Sequence, residues 1–431
     1  VRRRLLLVLL PAAVALCAWP AVTGDPLLDD LGLIPLRRPF PRADVFAPAA
    51  RWRPAVALSF RAVAALSRRN FVAAVLLHHL ASLALHVLAL WLLIRLARER
   101  HPGGGPHPWH ALAVAAFGLH PSVVESYAHL AARGEGLAVA ALAALALSLQ
   151  LRRPAAPVLL TLLGMTASPA AGPAAVAVAA AAALDDPSPR ARRAALAVAA
   201  TAAVAALLSF GALPPPAALA RWAARAPAAL AVAARALLVP SETALRLPQW
   251  ELARPLGPAD AFLAALPLLA GVFLWRRGAR GASALVAGAA LSVLPLVVRA
   301  DTLEYGLDRY LAAAALLLTL AVVRAPPPGW LGALTLPARR TLGASAVALL
   351  LLLVFMARQT ATGFTSDAHQ LDAMTQMRPR DPSGHLRNAW FAAKTGDVAT
   401  ARRELRNASR GPLTPAMREV AQAIADAVGR R

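Results

Sequence analysis

Cysteine occurs once, as Cys17 inside the first apolar run, which excludes an intrachain disulfide and any cysteine-based metal cluster. Lysine also occurs once, as Lys394, so nearly all the positive charge is carried by arginine. Charged side chains make up 16% of the 431 residues against 58% hydrophobic ones, and mean hydropathy is +0.56. That leaves too little polar surface for an ordinary water-soluble protein of this length. Walker, zincin, serine-elbow and dinucleotide glycine signatures are all missing, so the chemistries that depend on them have no recognisable site here. Although the formal net charge is +23, its arginines are spread over short loops between apolar runs. Nucleic acid is therefore not implied as a partner, since that needs the cations gathered on one surface; the lipid bilayer is.

The apolar runs predict an all-α polytopic membrane protein with eleven transmembrane helices over 1–357 and a soluble helical tail over 358–431. Arg2 to Arg4 followed by Leu5 to Trp19 read as an uncleaved first span, because Cys17, Ala18 and Trp19 make a poor cleavage site. Further spans are expected at about 71–95, 109–126, 134–150, 156–168, 170–184, 194–211, 258–275, 281–298, 309–323 and 341–357. The pair over 156–184 is short and interrupted by Pro169, Gly172 and Pro173, so a re-entrant hairpin fits it equally well. Arginines then alternate into one set of loops, at 95–100, 152–153, 190–193, 276–280 and 324–340. By the positive-inside rule this puts the N-terminus in the cytoplasm and the C-terminus outside a bacterial inner membrane. Two long outer loops, 20–70 and 212–257, each carry an alanine-rich stretch expected to lie in the interface as a helix. In the tail, Ala389, Ala392, Gly396, Ala401, Leu405 and Ala408 have the spacing of one tetratricopeptide repeat over about 382–415.

Three groups of polar residues are costly near a membrane. Asp29 and Asp30 are adjacent, and their mutual repulsion suits a proton acceptor or a bound cation; a solvated pair with no task is the other reading. The segment from His120 to Glu135 concentrates Glu125, His129 and Arg133; a continuous helix over 122–135 places these three on one face, a stripe suited to an anionic group such as phosphate or else a buried ion-pair network that only fixes two helices. Asp308 and Arg309 begin a late span, where Arg309 suits a lipid phosphate or snorkels to the interface. His78, His79 and His86 lie in the second span with no carboxylate beside them, which reads as packing or interhelical hydrogen bonding rather than a metal site.

With these residues in hand, the chain resembles the GT-C superfamily of polytopic glycosyltransferases, and within it the branch with C-terminal tetratricopeptide repeats that includes the TMTC protein O-mannosyltransferases and bacterial relatives. The resemblance is carried by Leu28, Asp29 and Asp30; by Trp52, Arg53 and Pro54 leading to Phe60, Phe71 and His78; and by Asp308, Arg309 and Tyr310. Its most specific part is His120, Pro121, Val124, Glu125, Ser126, Arg133, Glu135 and Leu137. It covers about 20–184 well and 240–325 loosely. Where the family has Ser, Lys, Glu this chain has Thr166, Ala167 and Ser168, and its tail has one repeat instead of several.

The resemblance implies transfer of a sugar from a polyprenyl-phosphate donor to an acceptor hydroxyl at the extracytoplasmic face. Asp29, Asp30 and Glu125 are then the catalytic carboxylates, able to hold Mg2+ or Mn2+ if a divalent ion is used; no other cofactor is implied. Arg53, His120, His129, Arg133, Glu135, Asp308 and Arg309 are the expected substrate-binding residues. The sugar and the protein, lipid or glycan nature of the acceptor are left open. Two alternatives stand beside this reading: a non-catalytic relative that assists cell-envelope assembly, and a lipid-linked sugar transporter.

Overall fold

Proline marks many of the helix starts. Eight of the helices described below begin on one, where its fixed φ suits the first turn and its missing N–H is one the helix cannot use. The computed structural model describes residues 2–23, 53–67, 71–100, 107–129, 132–153, 155–168, 170–210, 216–239, 256–293, 311–327, 329–363, 365, 382–411, 413 and 415–429.

Among the described residues all extended regular structure is α-helical. The helices are α1 Arg2–Val22, α2 Pro54–Leu66, α3 Phe71–Glu99, α4 Pro108–Leu119, α5 Pro121–Ala128, α6 Arg133–Gln150, α7 Ala156–Ala167, α8 Ala171–Asp185 and α9 Pro189–Phe210. They continue with α10 Pro216–Leu238, α11 Pro258–Arg276, α12 Arg280–Ser292, α13 Leu311–Arg324, α14 Leu336–Gly363, α15 Pro382–Thr395, α16 Val398–Ala408 and α17 Pro415–Gly429, with a single helical turn, Trp330–Ala333, ahead of α14.

Every expected span contains a helix, but the count of eleven crossings is not reached on length. Among the described residues three helices are long and apolar enough to cross a membrane, namely Ala73–Glu99 of α3, α11 and α14, with α5 and α6 a fourth if their bent pair is one span. The expected span 109–126 is two helices. Pro121 forces His120 into extended backbone (φ −71°, ψ 128°), which ends α4 and starts α5. The chain likewise turns at Ser168 between α7 and α8, which have 12 and 15 residues, short of the ~20 that cross hydrocarbon. The two alanine-rich stretches of the long loops do form helices, α2 and α10.

Burial sorts the helices into inner and outer members. From Leu311 to Leu317 every residue of α13 is buried, and α6 is buried along most of its length, as expected of helices apolar all round. In contrast α11 buries none of its residues and exposes Phe262, Leu268, Leu269, Phe273 and Trp275. α14 exposes Leu351, Leu352 and Phe355 in the same way. Continuous apolar exposure on outer helices is compatible with lipid and unfavourable in water.

The tail has its own buried cluster, built from Leu386, Ala389, Ala392, Ala401, Ala408, Met417, Ile424 and Val428. α15 and α16 pack as a hairpin whose turn uses Gly396 at φ +87°, a conformation that suits glycine. Between them, His385 Nδ1 lies 2.7 Å from Glu404 Oε2 and Arg403 Nε donates to Glu404 Oε1 at 3.1 Å. Desolvation pushes the Glu404 carboxyl up, but these two donors outweigh it and hold the acid below the usual glutamate value of 4.5. A depressed native pKa contributes stability that is complete above the unfolded value and lost as pH falls through the native one. Amide protection factors over 382–408, measured on the full chain, are therefore expected to fall as the solution is acidified below pH 4.5. In Glu404→Gln that acid-dependent loss should be largely absent, with lower protection at neutral pH.

Candidate functional site

α3 is apolar over most of its length, yet it turns His78, His79 and Ser82 inward near its N-terminal end, where all three are buried. His78 and Ser82 are one turn apart, so they share a face. Onto that face comes Arg133, the first residue of α6, with 0% exposure. Its Nε donates to Ser82 Oγ at 3.1 Å, its Nη2 donates to the His78 carbonyl at 2.6 Å, and its guanidinium lies 4.1 Å from the centre of the Phe60 ring of α2. Phe60 also stacks on His78, with ring centres 4.8 Å apart. One cation thus ties α2, α3 and α6 together.

The neighbouring charges come from two further places. Glu125 of α5 accepts from His129 Nδ1 at 3.4 Å, with both residues at 2% exposure or less. Arg53, just before α2, lies 3.8 Å from Glu135 of α6. His79 is within electrostatic reach of both Arg133 and His129. Five of the expected site residues, Arg53, Glu125, His129, Arg133 and Glu135, are therefore gathered at this end of the bundle.

The expected single stripe of Glu125, His129 and Arg133 is corrected by the backbone. α5 ends at Ala128, His129 is extended (φ −97°, ψ 122°), and α6 sets off at 111° to α5. Glycines at 134 and 136 let the start of α6 pack closely once the chain has turned. A Cβ at Gly134 would stand 2.6 Å from the Ala167 carbonyl oxygen, and one at Gly136 3.0 Å from that of Ser126. The turn lets backbone pack on backbone, and Arg133 reaches the cluster from a new helix.

His120 is used differently from the expectation. Its Nδ1 accepts from Ser122 N at 3.2 Å as the cap of α5, which leaves Nε2–H to donate to the Leu237 carbonyl of α10 at 3.2 Å. It joins α5 to α10 and makes no described contact with Arg133. His86 bonds the Gly118 carbonyl at 3.2 Å and stacks on Tyr127 at 4.5 Å, the interhelical role its sequence setting suggests. Asp29, Asp30, Asp308 and Arg309 lie outside the described residues, as do Arg299, Asp301, Glu304 and Tyr310. Among the described residues no three His, Cys, Asp or Glu side chains converge as a metal set.

Ser82 was not singled out by sequence, and His78 was read for packing or interhelical hydrogen bonding and, through the family resemblance, as part of a motif. The signal available for both was their four-residue spacing within an otherwise apolar run. Taken together, the fold and this cluster define an all-helical protein with apolar helices compatible with a membrane and a buried arginine, glutamate and histidine network at one end. No family model, no curated protein and no solved structure matches the chain.

Proposed function

We propose that this chain is a GT-C-like membrane glycosyltransferase that moves a sugar from a polyprenyl-phosphate donor to an acceptor hydroxyl at the extracytoplasmic face of a bacterial inner membrane. The observation that carries this reading is the convergence of Arg53 with Glu125, His129, Arg133 and Glu135 of the 125–135 stretch, across a 111° turn of the chain, on one end of the bundle. Ionisable residues at such a place in an apolar bundle are costly unless they serve a site or one another. The proposed topology keeps eleven crossings, some by short helices. It places the N-terminus and the arginine-rich loops in the cytoplasm and the tail, with its single TPR-like hairpin, outside.

In this mechanism the acceptor oxygen attacks the anomeric carbon of the donor sugar. Its proton passes to Asp29 or Asp30, the bond from that carbon to the phosphate oxygen breaks, and polyprenyl phosphate departs. Glu125 orients the acceptor or, with Asp29 and Asp30, a divalent ion such as Mg2+ or Mn2+. Arg133 and Arg309 stabilise the charge that grows on the leaving phosphate, which a fixed cation does better in the transition state than in the ground state. Arg53, His129, Glu135 and Asp308 hold the cluster's shape around the phosphate, and His120 supports its loop.

A second reading, a non-catalytic envelope protein, is favoured by one observation. Where the resemblance would place Ser, Lys and Glu, this chain has Thr166, Ala167 and Ser168, so a charged pair near the membrane is missing. Purified protein incubated with radiolabelled polyprenyl-phosphate sugars, with and without EDTA, separates the two. Release of lipid phosphate is expected, and Asp29→Asn with Asp30→Asn should abolish it while leaving the melting temperature unchanged. Turnover persisting in the double variant overturns the role given to these acids; no release with any donor from the parent chain favours the non-catalytic reading.

A further inference from the structure

The far ends of α3 and α6 enclose a second polar feature. From His78 to Glu99 along α3 is about 32 Å, and from Arg133 to Gln150 along α6 about 26 Å, at 1.5 Å per residue. Glu99 and Gln150 both line a cavity of about 650 Å³ that also receives the loops after α6 and α8, the start of α9 and the end of α13. Its wall carries six arginines, Arg100, Arg152, Arg153, Arg190, Arg193 and Arg324, against three carboxylates, Glu99, Asp185 and Asp186.

The carboxylates are already engaged. Asp185 Oδ2 accepts from Arg100 at 2.9 Å and from Arg324 at 2.8 Å, and Asp186 accepts from Arg152 at 3.0 Å. Glu99 lies 3.8 Å from Arg95. Three positive charges are left over in the cavity. Arg153 and Arg193 make no ion pair among the described residues. Arg324 is 2% exposed at its side chain, and its Nη2 is buried with no hydrogen-bond partner among the described residues. A guanidinium held that way has an unspent donor beside the cavity, and guanidinium donors match phosphate oxygens in geometry and charge.

The backbone adds an independent sign. Three turns among the described residues have positive φ: Gly278 at +77°, Gly396 at +87° and Arg152 at +56°. After α6, Arg152 N bonds Leu149 O at 3.2 Å and Arg153 N bonds Ser148 O at 3.0 Å, the pattern that closes a helix and normally places glycine at the left-handed position. Here that position is arginine, strained but held by Asp186 on its side chain and by Arg190 Nη2 on its carbonyl at 2.6 Å. The strain keeps a cation at the cavity rim where glycine would be easier.

We propose that this cavity is a binding site for a phosphate-bearing anion, supplied either as the headgroup of an anionic phospholipid from the adjoining leaflet or as soluble phosphate. A volume of 650 Å³ suits a headgroup or a small phosphate ester, and basic pockets between helices of this kind hold lipid headgroups elsewhere. The site is separate from the Arg133 cluster and does not depend on the transferase reading.

The test compares the full chain in nanodiscs of phosphatidylcholine alone with nanodiscs containing phosphatidylglycerol, reading lipid retention after exchange, and separately titrates detergent-purified protein with inorganic phosphate and pyrophosphate. Preferential retention of phosphatidylglycerol is expected, about thirtyfold weaker in Arg153→Gln with Arg193→Gln, at the usual contribution of one cation near an anionic surface. Arg276→Gln with Arg277→Gln removes the same charge outside the cavity and should leave retention near that of the parent. If soluble phosphate binds instead, its affinity should fall in the first pair and not the second, which supports the site and assigns the free anion. Equal behaviour of the two pairs toward both probes, or no binding of either probe by the parent, overturns the proposal.

Discussion

Arg133→Ala is expected to cost about 3–5 kcal/mol of stability, the scale for breaking a buried charged network by removing one partner. Arg133 is fully buried and bridges α2, α3 and α6 through Ser82, the His78 carbonyl and the Phe60 face. Alanine leaves a cavity and removes a cation from a region that also holds Glu125 and Glu135, each 2% exposed. Arg133→Lys separates structure from chemistry. Lysine keeps the charge but cannot send two donors in fixed directions while lying flat on a ring, so it should recover part of the melting temperature. If Arg133 also stabilises a departing phosphate, the folded lysine variant should still transfer sugar about 10²–10³-fold more slowly than the parent, the range seen when a fixed oxyanion donor is removed. A lysine variant that melts lower yet turns over at the parent rate confines Arg133 to holding helices together.

How far this arrangement was legible in the sequence depended on whether the signal was local. Proline and arginine read well. Pro54, Pro108, Pro189, Pro216 and Pro258 each begin a helix near where the apolar pattern placed one, and the loops at 95–100, 152–153 and 190–193 and Arg324 at the end of α13 do meet at one end of the bundle, around the cavity. The cluster was legible as a list of residues and not as a shape. Hydropathy counts residues and is blind to chain direction, so a run broken at His120 and Pro121 looks like one span, and a helix carried through 122–135 looks continuous. The new direction of α6 goes with the close approach of Gly134 to the Ala167 carbonyl, a contact 33 positions away that no window reports. A break marked by proline was legible: the interruption expected at Pro169 between 156–168 and 170–184 falls at Ser168, where α7 ends. Asp29 and Asp30, which carry most of the mechanistic proposal, lie outside the described residues, so their role rests on resemblance and on the experiment.

Gly288→Leu is expected to abolish correct packing of α12 on α8, with little folded protein recovered. A Cβ on Gly288 would overlap the Ala177 Cβ, with Ala177 Cα and Leu317 Cδ1 at 3.6 and 3.4 Å closing the other directions. Two turns earlier, a Cβ on Gly281 would collide with the Asp185 carboxylate and stand 2.8 Å from the Ala181 carbonyl. Ala177, Ala181 and Asp185 lie four apart on α8, so α8 and α12 meet along a ridge of small residues. Between apolar helices in lipid there is no water to expel, and close van der Waals contact of such residues supplies much of the association. Gly288→Ala should already cost about 1–3 kcal/mol, the usual range for overpacking. Because the conflict is between two methyl groups, Ala177→Gly in the same chain should restore most of it, giving a coupling that thermal denaturation of the four combinations measures. The same helix crossing seats Asp185 against Gly281, and Asp185 holds Arg100 and Arg324 at the basic cavity. Gly288→Ala should therefore weaken anion retention there and Ala177→Gly recover it, whereas a double variant no better than the single one would place the cost outside this crossing.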